Sequence, residues 1–509
     1  MTKRQILATV LALLTTFTVG AATPGKGVGC WRGRSPKAAL HHRSLPSGRY
    51  RGGPLHASPF TGEKRGLVIL CEFTDMQFQP EHDRQKYDDM LNLPGYTTSE
   101  GFRGSVADYF RDQSDGLFEL AFDVVGPYTT LHNYAYYGAN DDDGYDLRPH
   151  DMVVEMCQAA DAEVNFADYD WDGDGEVDEV FVLYAGKGEA DSGIKNAIWP
   201  HMWTLDEAET ELSLDGMKIN VYACASELKG SGRIDGIGTF CHEFSHCMGF
   251  PDFYDTINSK KYGMGSFDLM DQGCYNGGGF CPPGYTAYEK MVCGWQMPIV
   301  LADEDVTVDS LLPINKGGQT YIIYNDAWPD EYYMIENRQP TGWDKSYPAR
   351  GLLILHVDYD ENLWEWNIPN SVITDRKAQE EYGYRYGNDH ERMTFFHAND
   401  RDLSAKLYPY LDNDSLTATS MPAAALFNTN AQDTKTMPGA LVDIRQNSDS
   451  TISFRYRAAT VTDAIAIAPV VVSPPGGLER VAYDLQGRRV APPLRRGIYI
   501  VGGRLVVVK

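Results

Sequence analysis

Two histidines and a glutamate at helical spacing form the most informative pattern in this 509-residue chain. His242 and His246 are four residues apart, so a helix would project both imidazoles from one face toward a shared Zn²⁺. Glu243 follows the first histidine, where its carboxylate can act as general base on a metal-bound water. The pattern therefore predicts a hydrolytic zinc site with Glu243 as its catalytic residue.

The residues after this helix offer a third metal ligand. Gly249 can adopt the positive φ that ends a helix, and Pro251 keeps the helix from resuming. The chain can then turn back so that Asp252 binds the metal, which leaves the fourth position open for water. Asp252 is the predicted third ligand, and Asp255, which lies close behind it, could compete.

An acidic run over residues 168–179 predicts a second metal site, for Ca²⁺. Alternate aspartates provide carboxylates, Gly173 allows a sharp turn, and a later glutamate can close the site with both oxygens. The predicted calcium ligands are Asp168, Asp170, Asp172, Asp174 and Glu179. A shifted register using Asp170, Asp172, Asp174 and Asp178 is equally open. The run leads into an apolar strand, which indicates a structural calcium site rather than a calcium sensor. The second acidic run, at residues 140–143, predicts a solvated turn.

Several other residues have the chemistry to assist a zinc site. A tyrosine could help, and Tyr262 and Tyr275 both lie in the segment after the metal motif, with no basis in sequence for choosing between them. His201 and His356 are better explained as histidines satisfied by packing.

The nine cysteines are an odd number, so at least one thiol is unpaired. Cys71 lies in an apolar strand-like run and is predicted to be a buried free thiol. Cys274 and Cys281 flank a glycine-rich loop and form the predicted disulfide. Cys30 is either a residue with no special role or a latency ligand whose thiolate fills the open zinc position.

Charge and the N-terminus indicate an exported protein. The formal net charge of −26 argues against a nucleic-acid partner or an anionic membrane surface. Residues 1–22 have the charged start, the apolar stretch and the small residues of a secretory signal peptide. No later segment has the length and apolarity of a membrane span, so the mature protein is expected to be secreted or attached to the cell surface.

Pattern changes along the chain predict its organisation. A short propeptide or flexible lead at 23–62 precedes alternating strands and helices, which indicate an α/β catalytic domain at 63–300. Short β runs predict a β-rich, sandwich-like domain at 301–458. A Pro/Gly linker and a small β module, with a hairpin around Gly502 and Gly503, fill 459–509.

Residues 238–255, which contain the metal motif, resemble the zinc helix of the immune inhibitor A-like family of secreted bacterial metallopeptidases. Supporting similarity extends from about residue 63 to 458 and includes residues 123–127, 198–201, 332–338 and 351–358. The resemblance implies a zincin or metzincin-like fold, a zinc-dependent endopeptidase acting on protein or peptide substrates, and calcium as a stabilising ion. It also places Met270 where metzincin-like enzymes have a methionine turn, although a core methionine filling a gap explains that residue equally well.

The last residues resemble the sorting domain of the type IX secretion pathway of certain Gram-negative bacteria, on the basis of residues 483–488 and 497–501 and the terminal Lys509. This resemblance implies an interaction with outer-membrane secretion machinery. The competing interpretation of the whole chain is a calcium-stabilised surface adhesin or glycan-binding protein on a peptidase scaffold. The intact metal motif argues against it, because a binding protein gains nothing from an open zinc position beside a carboxylate.

Overall fold

The computed structural model describes residues 60–141, 144–257, 260–374, 387–402 and 404–459, and the backbone of four short strands beyond residue 480. The described residues from 60 to 459 form one compact unit, and the strands beyond residue 480 belong to a second. The described helices are α1 (Arg84–Asn92), α2 (Val106–Gln113), α3 (Tyr134–Tyr137), α4 (Pro149–Ala160), α5 (Glu189–Ser192), α6 (Ile237–Cys247), α7 (Ala287–Val292) and α8 (Glu361–Glu365).

The first part of the compact unit is built on a five-stranded sheet in the order β2-β1-β3-β7-β4. Its strands are β1 (Gly62–Glu72), β2 (Phe118–Thr129), β3 (Val180–Lys187), β4 (His201–Thr204) and β7 (Val221–Leu228). The short strands β5 (Leu212–Leu214) and β6 (Met217–Ile219) form a separate hairpin. The first four strands of the five-stranded sheet are parallel, and β4 is the antiparallel edge strand.

Apolar side chains alternate along β1 and cover both faces of this sheet. Val68 and Leu70 share a core with Phe240 and Phe244 of α6, and Leu67 and Ile69 belong to a second core, which is packed against α4. Phe240 stacks on Phe181 of β3 with 3.9 Å between ring centroids. The metal-motif helix is therefore fixed beneath the centre of the sheet by buried aromatic contacts.

Local sequence signals account for the start of α2 and for strand β3. The Ser105 hydroxyl caps α2 by accepting the Asp108 N–H, and the Asp108 carboxylate accepts the Ser105 N–H in return. This reciprocal pair is a capping box, which satisfies amide groups that have no partner inside the helix. The apolar strand predicted to follow the acidic run corresponds to β3.

Short strands dominate after residue 298. They are β8 (Ile299–Val300), β9 (Val306–Leu311), β10 (Tyr321–Tyr324), β11 (Glu331–Arg338), β12 (Gly351–Asp358), β13 (Met393–Phe395), β14 (Ala440–Gln446) and β15 (Ile452–Arg457). They form a sheet in the order β13-β12-β11-β10-β8 and another in the order β14-β15-β9. The whole unit is thus of mixed α/β type.

The five-stranded second sheet joins the two halves of the compact unit. Met334 and Leu355 point into the same core as the metal-motif helix, whereas Ile335 and Ile354 point into a core with Phe454 of the three-stranded sheet. The alternation follows from the two-residue repeat of a strand. The predicted boundary at residue 300 therefore crosses a shared hydrophobic core, and the division into separate domains remains a sequence prediction.

Arg338 ties the second sheet to the segment that follows the metal motif. The side chain is fully buried, and its guanidinium donates to Glu336 Oε1 at 2.5 Å and to Asp344 Oδ1 at 3.0 Å. It also donates to the carbonyl oxygens of Gly284 and Tyr285 at 2.9 and 2.8 Å. Two carboxylates and two carbonyls thus surround one buried cation, whose desolvation requires this many partners.

The cysteine prediction is wrong at one point and correct at another. Cys274 and Cys281 are both free and buried, so the predicted disulfide does not form. Cys281 Sγ lies 3.3 Å from the carbonyl oxygen of Trp343, whereas the backbone of Cys274 packs against the metal-motif helix at Gly238. The flanking positions in sequence did not determine where the two sulfurs point. Cys71 is a buried free thiol, as predicted.

The C-terminal unit contains the predicted hairpin. Strands β18 (Gly497–Val501) and β19 (Arg504–Val508) pair antiparallel, and β18 also pairs with β16 (Ala482–Tyr483), which pairs with β17 (Arg489–Val490). The predicted signal peptide, Cys30 and the Pro/Gly linker lie outside the described residues. In the part of the chain that the structure describes, no helix combines the length and apolarity needed to cross a membrane.

We expect Arg338→Met to reduce the free energy of unfolding by about 3–5 kcal/mol, because it leaves Glu336 and Asp344 buried without their counter-charge. Arg455→Met is the matched control, since Arg455 pairs with Asp443 at the surface and should contribute about 1 kcal/mol or less. Urea unfolding of both variants measures the difference. Equal losses would show that the buried cluster is not a stabilising link between the halves.

Candidate metal centre

Helix α6 presents the two histidines of the motif on one face. His242 and His246 are 7% and 1% exposed, and their Nε2 atoms lie 3.2 Å apart. Close backbone packing positions the helix, because a Cβ at Gly238 would lie 1.9 Å from the carbonyl oxygen of Cys274. A Cβ at Gly236 would lie 2.1 Å from that of Gly279. Only glycine allows this approach, so both positions are determined by packing as much as by helix formation.

The chain reverses after α6 as the sequence predicts. Gly249 has a φ of 96°, and its N–H donates to the carbonyl of His246 at 2.7 Å. Pro251 follows, and the turn brings the fully buried Asp252 back to the histidines. Asp252 Oδ1 lies 3.2 Å from Nε2 of both His242 and His246. The three candidate ligand atoms therefore form a nearly equilateral triangle.

Hydrogen bonds at the far side of each imidazole indicate which nitrogens carry protons. His242 Nδ1 lies 2.8 Å from the carbonyl oxygen of Leu269, and His246 Nδ1 lies 2.7 Å from that of Phe250. A carbonyl oxygen only accepts, so both Nδ1 atoms are assigned the proton and both Nε2 atoms present lone pairs. Asp252 Oδ1 is buried and accepts no hydrogen bond of acceptable geometry, although both Nε2 atoms are 3.2 Å away.

Zinc fits this arrangement of atoms. Three atoms that carry lone pairs converge in a site with little solvent. These atoms repel one another unless a cation lies between them. Tetrahedral zinc with bonds of about 2.0–2.1 Å requires ligand atoms about 3.3 Å apart, close to the observed edges of the triangle. The two imidazoles and one carboxylate also match the ligand types of catalytic zinc sites.

The protein surroundings favour the ionised form of Asp252. Burial alone would raise the pKa of this carboxyl group, but the positive charge that His246 and His242 carry when they are protonated holds the pKa below its usual range in the metal-free protein. Asp255, the alternative third ligand, accepts backbone N–H groups of Ile257, Lys260 and Lys261 instead. The structure therefore brings Asp252, rather than Asp255, to the histidines.

Glu243 lies beside the triangle and beneath the edge strand β4. Its side chain is 4% exposed, and burial together with the charge of Asp252 raises the pKa of Glu243 to about 8, against the opposing effect of His242. The backbone N–H of Met202 in β4 also donates to this carboxylate. Glu243 is thus buried, close to the candidate ligands and next to an exposed strand edge.

The turn around Met270 supports the site from below. Met270 is fully buried, its backbone oxygen accepts the N–H of Phe253, and the preceding carbonyl of Leu269 accepts from His242. The same turn therefore contacts one histidine and the residue that follows the aspartate. Partners of this kind fix the orientation of ligand side chains.

The two tyrosines named from the sequence lie in different surroundings. Tyr275 is 43% exposed, and the ammonium group of Lys229 lies 5.8 Å from the centroid of its ring. Tyr262 packs against Phe395 and His397, with centroid distances of 6.3 and 5.1 Å. Tyr275 is the more exposed of the two, because Tyr262 is half-buried.

The two histidines interpreted as packing residues are structural, as predicted. His201 Nδ1 lies 2.6 Å from the carbonyl oxygen of Trp199, and burial lowers the pKa of His201 to about 4. His356 Nε2 lies 2.8 Å from Glu331 Oε1, and its ring stacks on Phe427 with 4.6 Å between centroids.

The acidic loop brings together part of the predicted calcium set. Carboxylate oxygens of Asp170, Asp172 and Asp174 lie within 4.8 Å of one another. Asp170 also accepts the backbone N–H groups of Gly173, Asp174 and Gly175, which hold the loop closed around it. Asp168 is not part of this group, because it forms an ion pair with Arg65.

Two further acidic residues of the loop, Asp178 and Glu179, follow the cluster in sequence and are buried. Asp178 accepts the N–H of Trp171, and Glu179, 3% exposed, precedes the first residue of β3. The observed grouping therefore contains the three aspartates that both predicted sets share, and it leaves out Asp168. The sequence could not predict this omission, because Asp168 forms an ion pair with a residue of a distant strand.

Comparison with known proteins agrees with this geometry. Residues 64–296 match the family described as immune inhibitor A peptidase M6, catalytic domain. The matched segment is similar to that catalytic domain. It contains the whole triangle of candidate ligands and Glu243.

Two relatives are similar to part of the chain. The pre-pro-metalloprotease PrtV of Vibrio cholerae is 28% identical over 296 residues, which covers 47% of this chain and 31% of that protein. Immune inhibitor A of Bacillus thuringiensis subsp. alesti is 26% identical over 261 residues, covering 41% of this chain and 36% of that protein. The chain thus matches about a third of the length of these relatives. The matches support a hydrolase of the metallopeptidase class.

Local sequence signals gave no indication of two further contributors to the site. Asn367 donates to Asp252 Oδ2 at 2.7 Å from 115 positions away, and Leu269 contributes only a backbone oxygen. An asparagine outside any motif carries no recognisable signal, and a carbonyl oxygen is present in every residue.

We expect Asp268→Asn to change how stability depends on pH. Burial raises the pKa of Asp268, which precedes the Leu269 carbonyl, to about 7 in the folded state, well above the ordinary value of 3.8. The contribution of the neutral form to the free energy of unfolding is fully present below pH 3.8 and is lost as the pH rises through 7. The asparagine keeps the acceptor for the Met270 N–H but cannot ionise.

Unfolding free energies of wild type and Asp268→Asn, measured in excess chelator from pH 5 to 8, should therefore move apart in favour of the variant. The change is on the order of 1–4 kcal/mol. Asp303→Asn, at an exposed position, is the control. A constant difference between Asp268→Asn and wild type across this range would show that Asp268 is ionised throughout.

Proposed function

We propose that this protein is a secreted zinc-dependent endopeptidase that hydrolyses peptide bonds of extracellular proteins. The observation that carries the proposal is the triangle of lone-pair-bearing atoms from His242, His246 and Asp252, with 3.2 Å edges, beside the buried carboxylate of Glu243. Three buried acceptors at this spacing repel one another unless a cation lies between them. The match of residues 64–296 to a peptidase family supports the same conclusion.

Zinc held by the two imidazoles and Asp252 would supply Lewis acidity, lowering the pKa of water and polarising the scissile carbonyl. Glu243 accepts a proton from the attacking water and returns it to the departing amine. Burial raises the pKa of Glu243 to about 8 in the metal-free protein, and a bound zinc cation would favour the carboxylate form that accepts the proton. The burial of Glu243 also keeps bulk water away from the transferred proton.

The edge strand β4 is the proposed binding surface for the peptide backbone. It pairs with β7 on one side and with no other strand among the described residues on the other. An extended substrate can add to such an edge through backbone hydrogen bonds. Because Met202 of this strand contacts Glu243, a peptide bound along β4 would have its scissile bond near the catalytic carboxylate. The buried turn at Leu269 and Met270 supports a metzincin-like arrangement.

The acidic loop is proposed to bind one structural Ca²⁺. The grouped carboxylates of Asp170, Asp172 and Asp174 are the oxygen ligands that calcium prefers, and Gly173 and Gly175 adopt φ values of 79° and 88° in the tight turn. Asp178 and Glu179 follow as further acidic candidates. The ion would neutralise carboxylate repulsion at the start of β3, the strand on which α6 packs.

Export is proposed from the ends of the chain. The signal-like residues 1–22 support secretion, and the C-terminal sequence, with its hairpin of β18 and β19, supports recognition by outer-membrane secretion machinery or attachment to the surface. The adhesin interpretation is not favoured, because it leaves the buried metal-ligand triangle and the adjacent glutamate without a purpose.

We expect Glu243→Gln to retain about one zinc per chain while hydrolysis of casein falls by about 10²–10⁴-fold. The amide cannot accept the proton of the attacking water, but it leaves the three candidate ligands unchanged. Zinc content by elemental analysis and casein cleavage, measured on the same preparations, test this. Turnover like that of the wild type would exclude Glu243 as the base, and a wild-type protein that binds no zinc would contradict the proposed function.

We expect calcium to raise the thermal midpoint of the zinc-loaded protein, with a stabilisation of about 2.7 kcal/mol at 100 times the dissociation constant. Asp172→Asn combined with Asp174→Asn should abolish this response, because two of the three grouped carboxylates lose their charge. Asp141→Asn, in the other acidic run, is the matched control. A calcium response that survives the double substitution would place the ion elsewhere.

A further inference from the structure

The side-chain amide of Asn367 holds Asp252 on two sides. Asn367 Nδ2 donates to Asp252 Oδ2 at 2.7 Å, and Asn367 Oδ1 accepts the backbone N–H of Asp252 at 2.6 Å. Both residues are buried, with 1% and 0% of their surfaces exposed. One planar amide thus fixes the main chain and the carboxylate of the same residue, which leaves Oδ1 directed toward the two imidazoles.

The backbone of Asn367 is itself held in an unusual conformation. Asn367 lies just after α8 and has a φ of 54°, in the left-handed region. Its N–H donates to the carbonyl of Trp364 at 3.1 Å, and its own carbonyl accepts from the Thr256 hydroxyl at 2.9 Å. The position requires a residue that tolerates this φ and also carries a donor and an acceptor. Asparagine meets all three requirements, whereas aspartate lacks the donor and glycine lacks both polar groups.

Neighbouring hydrogen bonds make the support rigid. The Asn370 amide bridges the carbonyl oxygens of Phe253, the residue after Asp252, and Met393 of β13, at 2.7 and 2.6 Å. The Asn388 amide donates to the carbonyls of Ile368, Pro369 and Ser371 at 3.0–3.1 Å. The segment that carries Asn367 is therefore bound both to the turn that carries Asp252 and to the second sheet.

We infer that Asn367 is a positioning residue of the metal centre, which sets zinc affinity and coordination geometry by orienting Asp252. The inference rests on the proposed function, since it takes zinc to be the ion held by His242, His246 and Asp252. It extends the site beyond residues 64–296, because Asn367 lies outside the segment that matches the peptidase family. Removing a partner that orients a metal ligand typically weakens metal binding by about 10–100-fold.

The variants Asn367→Asp and Asn367→Gly test this in the full-length protein. The first keeps the shape but replaces the donor that faces Asp252 Oδ2 with a carboxylate oxygen. The second keeps the tolerance for a positive φ but removes the amide. Ser371→Ala is the matched control, because it removes a buried contact to the Thr256 hydroxyl at 3.0 Å in the same segment without a bond to Asp252.

Three measurements separate a positioning role from a merely structural one. Zinc affinity is measured by competition with a chromogenic chelator, coordination geometry by the visible absorption of the Co²⁺-loaded protein, and folding by the thermal midpoint in excess chelator. We expect both Asn367 variants to bind zinc about 10–100-fold more weakly and to show an altered Co²⁺ spectrum. Ser371→Ala should keep the affinity and spectrum of the wild type even if its thermal midpoint falls.

The outcomes distinguish this inference from the proposed function. Zinc affinity and a Co²⁺ spectrum like those of the wild type in both Asn367 variants would overturn the inference, whatever their thermal midpoints, while leaving the peptidase proposal intact. The inference would also be overturned if Ser371→Ala lost affinity to the same extent, because the effect would then be general to the segment. A wild-type protein that binds no zinc would overturn both.

Discussion

Mutual repulsion of three buried acceptors is the constraint on which the rest of this structure depends. His242 Nε2, His246 Nε2 and Asp252 Oδ1 are held 3.2 Å apart with their lone pairs directed inward. Such an arrangement is unfavourable without a cation, so the surrounding fold has to supply the free energy that holds it together. The outer hydrogen bonds of each ligand, to Leu269, Phe250 and Asn367, provide part of that support.

The second sheet has a direct part in this support. It packs one face against the core that contains α6, and its buried Arg338 is bound to the carbonyls of Gly284 and Tyr285 downstream of the motif. The segment that carries Asn367 lies between β12 and β13 of the same sheet. A region that looks like an accessory β module in the sequence therefore shares both a hydrophobic core and a hydrogen bond to a candidate ligand with the peptidase segment.

The local part of the site was predictable because its residues are close in sequence. A four-residue spacing on a helix places His242 and His246 together, and Gly249 takes the positive φ that the turn requires. The same local geometry predicted Asp252 as the third ligand but left Asp255 open as an alternative. By contrast, Cys274 and Cys281 were predicted to pair from their positions alone, and they do not, because the thiol of Cys281 faces Trp343 rather than Cys274.

Some features of the acidic loop depend on its local sequence, and others depend on contacts with residues far away in the chain. Its composition and glycines predicted a carboxylate cluster, since these properties are local. Arg65, a residue of β1, forms an ion pair with Asp168, and Asp168 is not part of the group. Alternating acidic residues offer nearly equivalent registers, and only contacts from outside the loop distinguish them.

The sequence by itself determined the helix with its two histidines and glutamate, the strands that position this helix, and the acidic cluster. Each of these depends on spacing of a few residues and on the conformational limits of Gly, Pro and the helix. Tertiary structure alone decided that Asp252 rather than Asp255 joins the histidines, that Asn367 orients it, and that the second sheet shares the core. Such contacts join residues that are far apart in sequence, 115 positions in the case of Asn367 and Asp252. No local pattern specifies them, because they arise only when separate elements pack together and each buried polar group has to find a partner.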